Sequence, residues 1–176
     1  MKHALLMAFA LCTAATMTAC DSDDDDNGGK VPTSGTFTLE YLTAGEMFDL
    51  FDITMVYTDE SGVEKSEVIT LDKCGASSFD DFTYSYKRDV KCSKLPASAD
   101  FSVNLTLKAD YPVKEKYTFY RTQCITWTDN LGNSSIIRGY SSKINGLTQE
   151  GLIKLYQSKS ESLGAYVDEA GHISMN

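Results

Sequence analysis

Histidine, proline and tryptophan are scarce in this chain: 176 residues hold two, three and one of them. Of the histidines, His3 stands at the start and His172 four residues from the end. Histidine-based catalysis is therefore not expected, because a Ser-His-Asp triad needs an imidazole held rigidly between nucleophile and carboxylate. There is no nucleophile elbow, phosphate loop or zinc-protease motif, and no cofactor is expected. Basic residues are few as well, 16 against 25 acidic ones. Phosphate binding rests on clustered Lys and Arg, so nucleic acid is not an expected partner. No repeat with a fixed period is visible.

What is present begins with a basic start, Lys2 and His3, followed by apolar residues from Ala4 to Leu11 and small or apolar ones to Ala19. Thr13, Thr16 and Thr18 dilute its second half. A membrane span needs about 20 strongly apolar residues, so the segment reads as a cleavable secretory signal. It ends in Met17-Thr18-Ala19-Cys20, which resembles the lipobox of bacterial lipoproteins, with Met17 where Leu is usual. That resemblance implies cleavage before Cys20, lipidation of its thiol, and a membrane partner reached through two or three acyl chains, enough for firm anchoring.

Directly behind stand Asp21, Ser22, Asp23, Asp24, Asp25 and Asp26. As chemistry alone this is a solvated linker, extended by its own repulsion. A serine followed by several aspartates also resembles the export signal of surface lipoproteins in the Bacteroides group. The resemblance implies an outer-membrane location facing the cell exterior. It covers residues 1–26 and says nothing of the rest.

Without residues 1–19 the chain keeps 157 residues, all 25 acidic groups and 15 basic ones, for a formal charge of -10. That length fits one domain with a real core. Residues 20–35, with Gly28, Gly29, Pro32 and Gly35, read as a flexible tether, and residues 36–176 as the folded part. Of five cysteines, Cys12 leaves with the signal and Cys20 carries lipid, so Cys74, Cys92 and Cys124 remain. Three cysteines allow three pairings. Outside the cytoplasm disulfides persist, and a Cys74 to Cys92 bridge, closing the loop between two segment ends, is the expected one, contributing about 3 kcal/mol.

Period-two alternation dominates the folded part. Phe37, Leu39 and Tyr41 alternate with polar neighbours, and Phe101, Val103, Leu105 and Leu107 do so without exception, as half-buried strands require. Residues 47–57 and 63–71 read as a hairpin around Gly62, and 116–127 and 134–140 as another around Asp129, Asn130, Leu131, Gly132 and Asn133. One short helix is expected after Thr148, with Leu152, Leu155 and Tyr156 at helical spacing and an end between Lys159 and Gly164. A last hairpin joins residues 165–167 to 172–174. Seven to nine strands at this spacing predict an all-β, antiparallel β-sandwich, immunoglobulin-like or related, with one short helix near the C-terminus.

Chemistry is thin. Asp80-Asp81, Asp49 with Asp52, and Asp59-Glu60 are carboxylate pairs of the kind glycosidases use, and equally ordinary acids in turns. Asp129, Asn130 and Asn133 offer oxygen ligands for calcium in one loop, but hairpin turns prefer the same residues. Ten tyrosines and eight phenylalanines leave aromatics as the remaining feature, in a cluster of Phe79, Phe82, Tyr84 and Tyr86 and another of Tyr117, Tyr120 and Trp127. The second set are candidates for stacking on sugar rings, or alternatively core residues. The expected function is a non-catalytic binding or adhesion module for glycan or an envelope or surface protein. The alternatives are an accessory subunit of an outer-membrane assembly that pairs through a strand edge, and third a glycan-processing enzyme.

Overall fold

A computed structural model describes residues 30–79, 82–156 and 161–176, with Tyr140 and Glu161 described in backbone only. The signal, Cys20 and the acidic run lie outside the described residues. Among the described residues ten strands form: β1 (Gly35–Thr43), β2 (Phe51–Thr58), β3 (Glu64–Ile69), β4 (Gly75–Ala76), β5 (Tyr84–Cys92), β6 (Ala97–Leu107), β7 (Tyr117–Asp129), β8 (Ser134–Leu147), β9 (Glu161–Val167) and β10 (Ile173–Met175). They make two antiparallel five-stranded sheets, ordered β4-β5-β1-β7-β8 and β10-β9-β6-β2-β3. The expected all-β sandwich is what the chain adopts.

Alternation explains the layers. Phe37, Leu39 and Tyr41 of β1, Ile53 and Met55 of β2, Phe101 and Val103 of β6, and Ile125 and Trp127 of β7 are all buried in one core. Each stands two residues from the next, so each strand sends one face inward. The β2–β3, β7–β8 and β9–β10 hairpins stay within a sheet, while β1–β2, β3–β4, β5–β6, β6–β7 and β8–β9 cross between sheets.

Two helices were not both foreseen. Residues 47–57, read as one strand, split into a helix α1 (Glu46–Leu50) and β2. The reason lies in the spacing: Met47 and Leu50, three apart, are both fully buried, and period two takes over only at Phe51. Glu46 fastens this turn to β7 by accepting from the Thr118 amide at 3.2 Å and from Lys114 Nζ at 3.1 Å. The expected helix is α2 (Gln149–Tyr156), capped by Thr148, whose hydroxyl accepts from the Gly151 amide at 3.2 Å. Gly164, expected to end it, instead lies inside β9, opposite Asp100 of β6.

Along one side of the sandwich the sheets are joined by side chains. Glu67 of β3 accepts from the Tyr57 hydroxyl at 2.7 Å, and from the Tyr86 hydroxyl and Arg88 of β5. Burial acts to raise the Glu67 carboxyl, but the bonds from Tyr86, Tyr57 and Arg88 outweigh it and hold it below its ordinary value. The Tyr86 phenol, buried beside that carboxylate, is pushed up to about 12. Among the described residues no helix is long and apolar enough to cross a membrane.

Candidate functional site

The register fixes which connections share an end. Gly35 stands opposite both Cys92 and Asp129, and Ala97 opposite Val167. The start of β1, the β5–β6 connection and the β2–β3, β7–β8 and β9–β10 turns therefore gather at one end. The three turns share one construction. Asp59, Asp129 and Asp168 each stand three residues before a glycine at φ 79°, 89° and 87°, the left-handed region that favours glycine. In each, the aspartate amide donates to the carbonyl four residues on, at 2.9, 2.9 and 3.1 Å, and its carboxylate turns back to accept from the loop.

Those carboxylates are already occupied. Asp129 accepts from the Leu131 and Asn133 amides at 2.9 Å each and from the Asn133 side chain at 2.8 Å. Asp59 takes bonds from Ser61 and Val63 and an ion pair from Lys65, and Asp168 from Ala170 and His172. The Asn133 side chain, the Ser61 hydroxyl and the His172 amide lead in holding the respective carboxyls below their ordinary range. The calcium loop of Asp129, Asn130 and Asn133 is thus a hairpin turn. Asn130 is used differently: its Oδ1 accepts from the Thr33 amide at 3.0 Å while its own amide donates to the Ser34 carbonyl at 3.0 Å. Among the described residues no group of three His, Cys, Asp or Glu is placed to hold a metal ion.

Between these turns the sandwich is open. A cleft of about 900 Å³ runs in from this end, with Val90, Pro96, Ala97 and Ala99 among its apolar lining and Lys91, Lys94, Asp59 and Asn130 among its polar lining. At the opposite end Met47 and Leu50 of α1 and Leu152 of α2 are fully buried, and Phe51 packs edge-on against Phe119 at 5.9 Å. Helical side chains fill that end, and a dish of about 480 Å³ lies there, lined by Asp49, Asp52, Asp110 and Lys108 among others. Asp49 and Asp52 are exposed, and Lys108 Nζ is held by the Phe48 carbonyl at 2.8 Å. Asp80 and Asp81 lie outside the described residues.

A second surface stands on the outer face of the first sheet. The Ser77 amide donates to the Thr83 carbonyl, and the Phe79 and Phe82 rings lie on β8 and β7. Phe82 meets Tyr120 edge-on at 6.4 Å, and Lys143 Nζ lies 5.4 Å above the Tyr120 ring. The Arg138 guanidinium lies 4.5 Å over Phe79. Phe79, Phe82 and Tyr120 are half-buried, Arg138 and Lys143 exposed. Beneath this layer Cys124, Cα partner of Arg138, is fully buried, and burial followed by the charge of Glu40 pushes its thiol up to about 11.

Several sequence candidates are displaced. Tyr117 and Trp127 are 1% and 2% exposed and belong to the core, because odd positions in these stretches of β7 point inward; of the three stacking candidates only Tyr120 reaches the surface. Cys74 and Cys92 are both free thiols. Cys74 precedes Gly75, which faces Ser85 of β5, and Cys92 lies seven residues further along that strand. Pairing is antiparallel, so Cys74 falls one position closer, about 20 Å at strand rise, against a Cα separation under about 7 Å for a disulfide. The outer-face group drew on both aromatic clusters of the sequence, but its pairing of Phe82 with Tyr120, and its two cations, depend on contacts between distant segments that spacing does not reveal. No family model, curated protein or solved structure matches the chain.

Proposed function

We propose that the chain is a non-catalytic, lipid-anchored module of the outer membrane that binds glycan at the outer-face platform of Phe79, Phe82, Tyr120, Arg138 and Lys143. The observation that carries this reading is the combination of half-exposed rings with exposed cations on one face. Rings stack on the apolar C–H faces of sugars, and a guanidinium matches a carboxylate or sulfate, so the ligand class is an acidic oligosaccharide. Position supports it too. Tyr120 lies nine residues along β7 from Asp129, about 30 Å at strand rise from the end where residues 32–34 leave the fold. A module anchored through Cys20 presents this face away from the lipid.

Address and ligand are tested separately. Proteinase K on intact cells is expected to digest the wild type and spare a variant with alanine at positions 23–26; protection of both would place the domain in the periplasm and sink the surface reading. On a glycan array the full chain is expected to retain uronic-acid or sulfated oligosaccharides, and Tyr120→Ala to weaken that retention about tenfold with an unchanged melting temperature. Equal retention by the variant would remove the platform from the proposal.

A further inference from the structure

Trp127 is the chain's one tryptophan, and it serves the open end as well as the core. Its Cα stands opposite Phe37 in the β1–β7 register, but the ring leans along the strand toward the cleft. Cζ2 and Cη2 press on Gly35, two positions nearer that end, where a Cβ would have no room. Cζ2 is bonded to the carbon that carries Nε1, so the N–H lies on the side of the indole turned toward the open end. Gly35 forms part of the cleft wall there, with Val90, Cys92 and Thr128. Trp127 is 2% exposed, and its Nε1–H is buried with no hydrogen-bond partner among the described residues. A buried indole N–H normally has one, because leaving a buried donor unpaired costs about 1–3 kcal/mol.

The rest of the cleft selects no net charge. Lys91 alternates with inward Val90 and Cys92, and Asp100 with inward Ala99 and Phe101, so both side chains fall on the outer faces of their sheets. The Asp59 and Asp129 carboxylates are taken up by their own turns. Lys94 and Glu60 remain at the mouth, both exposed and opposite in sign. Val90, Pro96, Ala97 and Ala99 give apolar walls, and the volume of about 900 Å³ falls within the about 300–1,000 Å³ of small-molecule sites. From this combination we infer that the cleft is a binding site for an uncharged, largely apolar small molecule with a carbonyl oxygen at its inner end, which accepts from Trp127 Nε1. Burial against the apolar walls supplies affinity. The one buried donor supplies orientation, and it rejects a hydrocarbon of the same shape, since only the carbonyl relieves the unpaired N–H. Cys92, opposite Gly35 in the β1–β5 register and part of the lining, is placed to report occupancy. The site is independent of the glycan platform and of the membrane address.

The test uses the full chain in detergent, with acetylnaphthalene as the ketone probe and ethylnaphthalene as a hydrocarbon of similar shape, so that partition into micelles is common to both. Trp127 gives the single indole N–H signal of the chain in a proton–nitrogen spectrum. That signal is expected to shift with the ketone and stay in place with the hydrocarbon, and the ketone to bind about tenfold more tightly. At ten times its dissociation constant, the ketone is expected to slow alkylation of Cys92 by N-ethylmaleimide about tenfold. Cys74, outside the cleft lining, is expected to react at an unchanged rate. Ala97→Leu is expected to abolish both effects, and Trp127→Phe, read through Cys92, to bind the two probes alike. An unmoved indole signal, an equal shift with the hydrocarbon, or unslowed alkylation of Cys92 would each overturn the inference. So would an Ala97→Leu chain that melts as the wild type does and binds the ketone undiminished.

Discussion

The two ends of this sandwich close by different means. At one end α1, α2 and residues 77–83 and 108–116 connect the strands, and Met47, Leu50 and Leu152 are driven fully into the core. At the other, three five-residue turns satisfy their own polar groups and contribute nothing to the interior, leaving a cleft of about 900 Å³. Long connections plug the sandwich; short self-contained ones leave it open. The largest expected effect follows directly. Leu50→Ala removes a fully buried plug and is expected to cost about 2–5 kcal/mol in urea unfolding, and a loss under about 1 kcal/mol would mean the helical end is not closed as described.

The turns are expected to be less costly to damage, and unequally so. Gly62 and Gly171 both sit at positive φ, where a side chain costs about 1–2 kcal/mol. An added Cβ at Gly62 meets nothing, whereas at Gly171 it runs into Pro32. Gly171→Ala should therefore lower the melting temperature more than Gly62→Ala, and an equal drop would show that Pro32 is not packed there. Acid supplies a smaller test. With the Asp129 carboxyl held low in the fold, its contribution is fully present above the unfolded carboxylate pKa of about 3.9 and is lost as pH falls toward the depressed folded value. The wild type should be more stable than Asp129→Asn at about pH 7, with the gap closing in thermal melts below about pH 4; a gap constant across that range would exclude the carboxylate as its source.

Much of this was legible in the sequence because strands report themselves by alternation: the Phe37, Leu39 and Tyr41 set and the Phe101 to Leu107 set both point as written. The glycine of each hairpin was legible too, since only a positive φ demands it. What the sequence hid depends on contacts between distant segments. β5 is masked by its own content, as Tyr86, Arg88 and Val90 share an inward face but Arg88 is there only to meet Glu67 of another strand. Trp127 and Tyr120 stand on one strand and take opposite faces, odd positions turning inward and Tyr120 outward, a parity written in the sequence that does not by itself say which face meets the core. The cysteines misled for a related reason: 18 positions separate Cys74 from Cys92 in sequence, but Cys74 stands beside the start of β5 and Cys92 at its far end.

The smallest expected effect is the one that tests whether the cleft end is open. Ala97 lines the cleft at the start of β6, half-buried and facing space. In a packed core Ala→Leu forces neighbours aside and costs about 1–3 kcal/mol, and at the helical end the same increase in volume would meet Met47 or Leu152. In the cleft the added atoms have room, and any stability change should stay within about 0.5 kcal/mol. Loss of stability comparable to Leu50→Ala would mean the two ends are equally packed, and the contrast between plugged and open ends would fall with it.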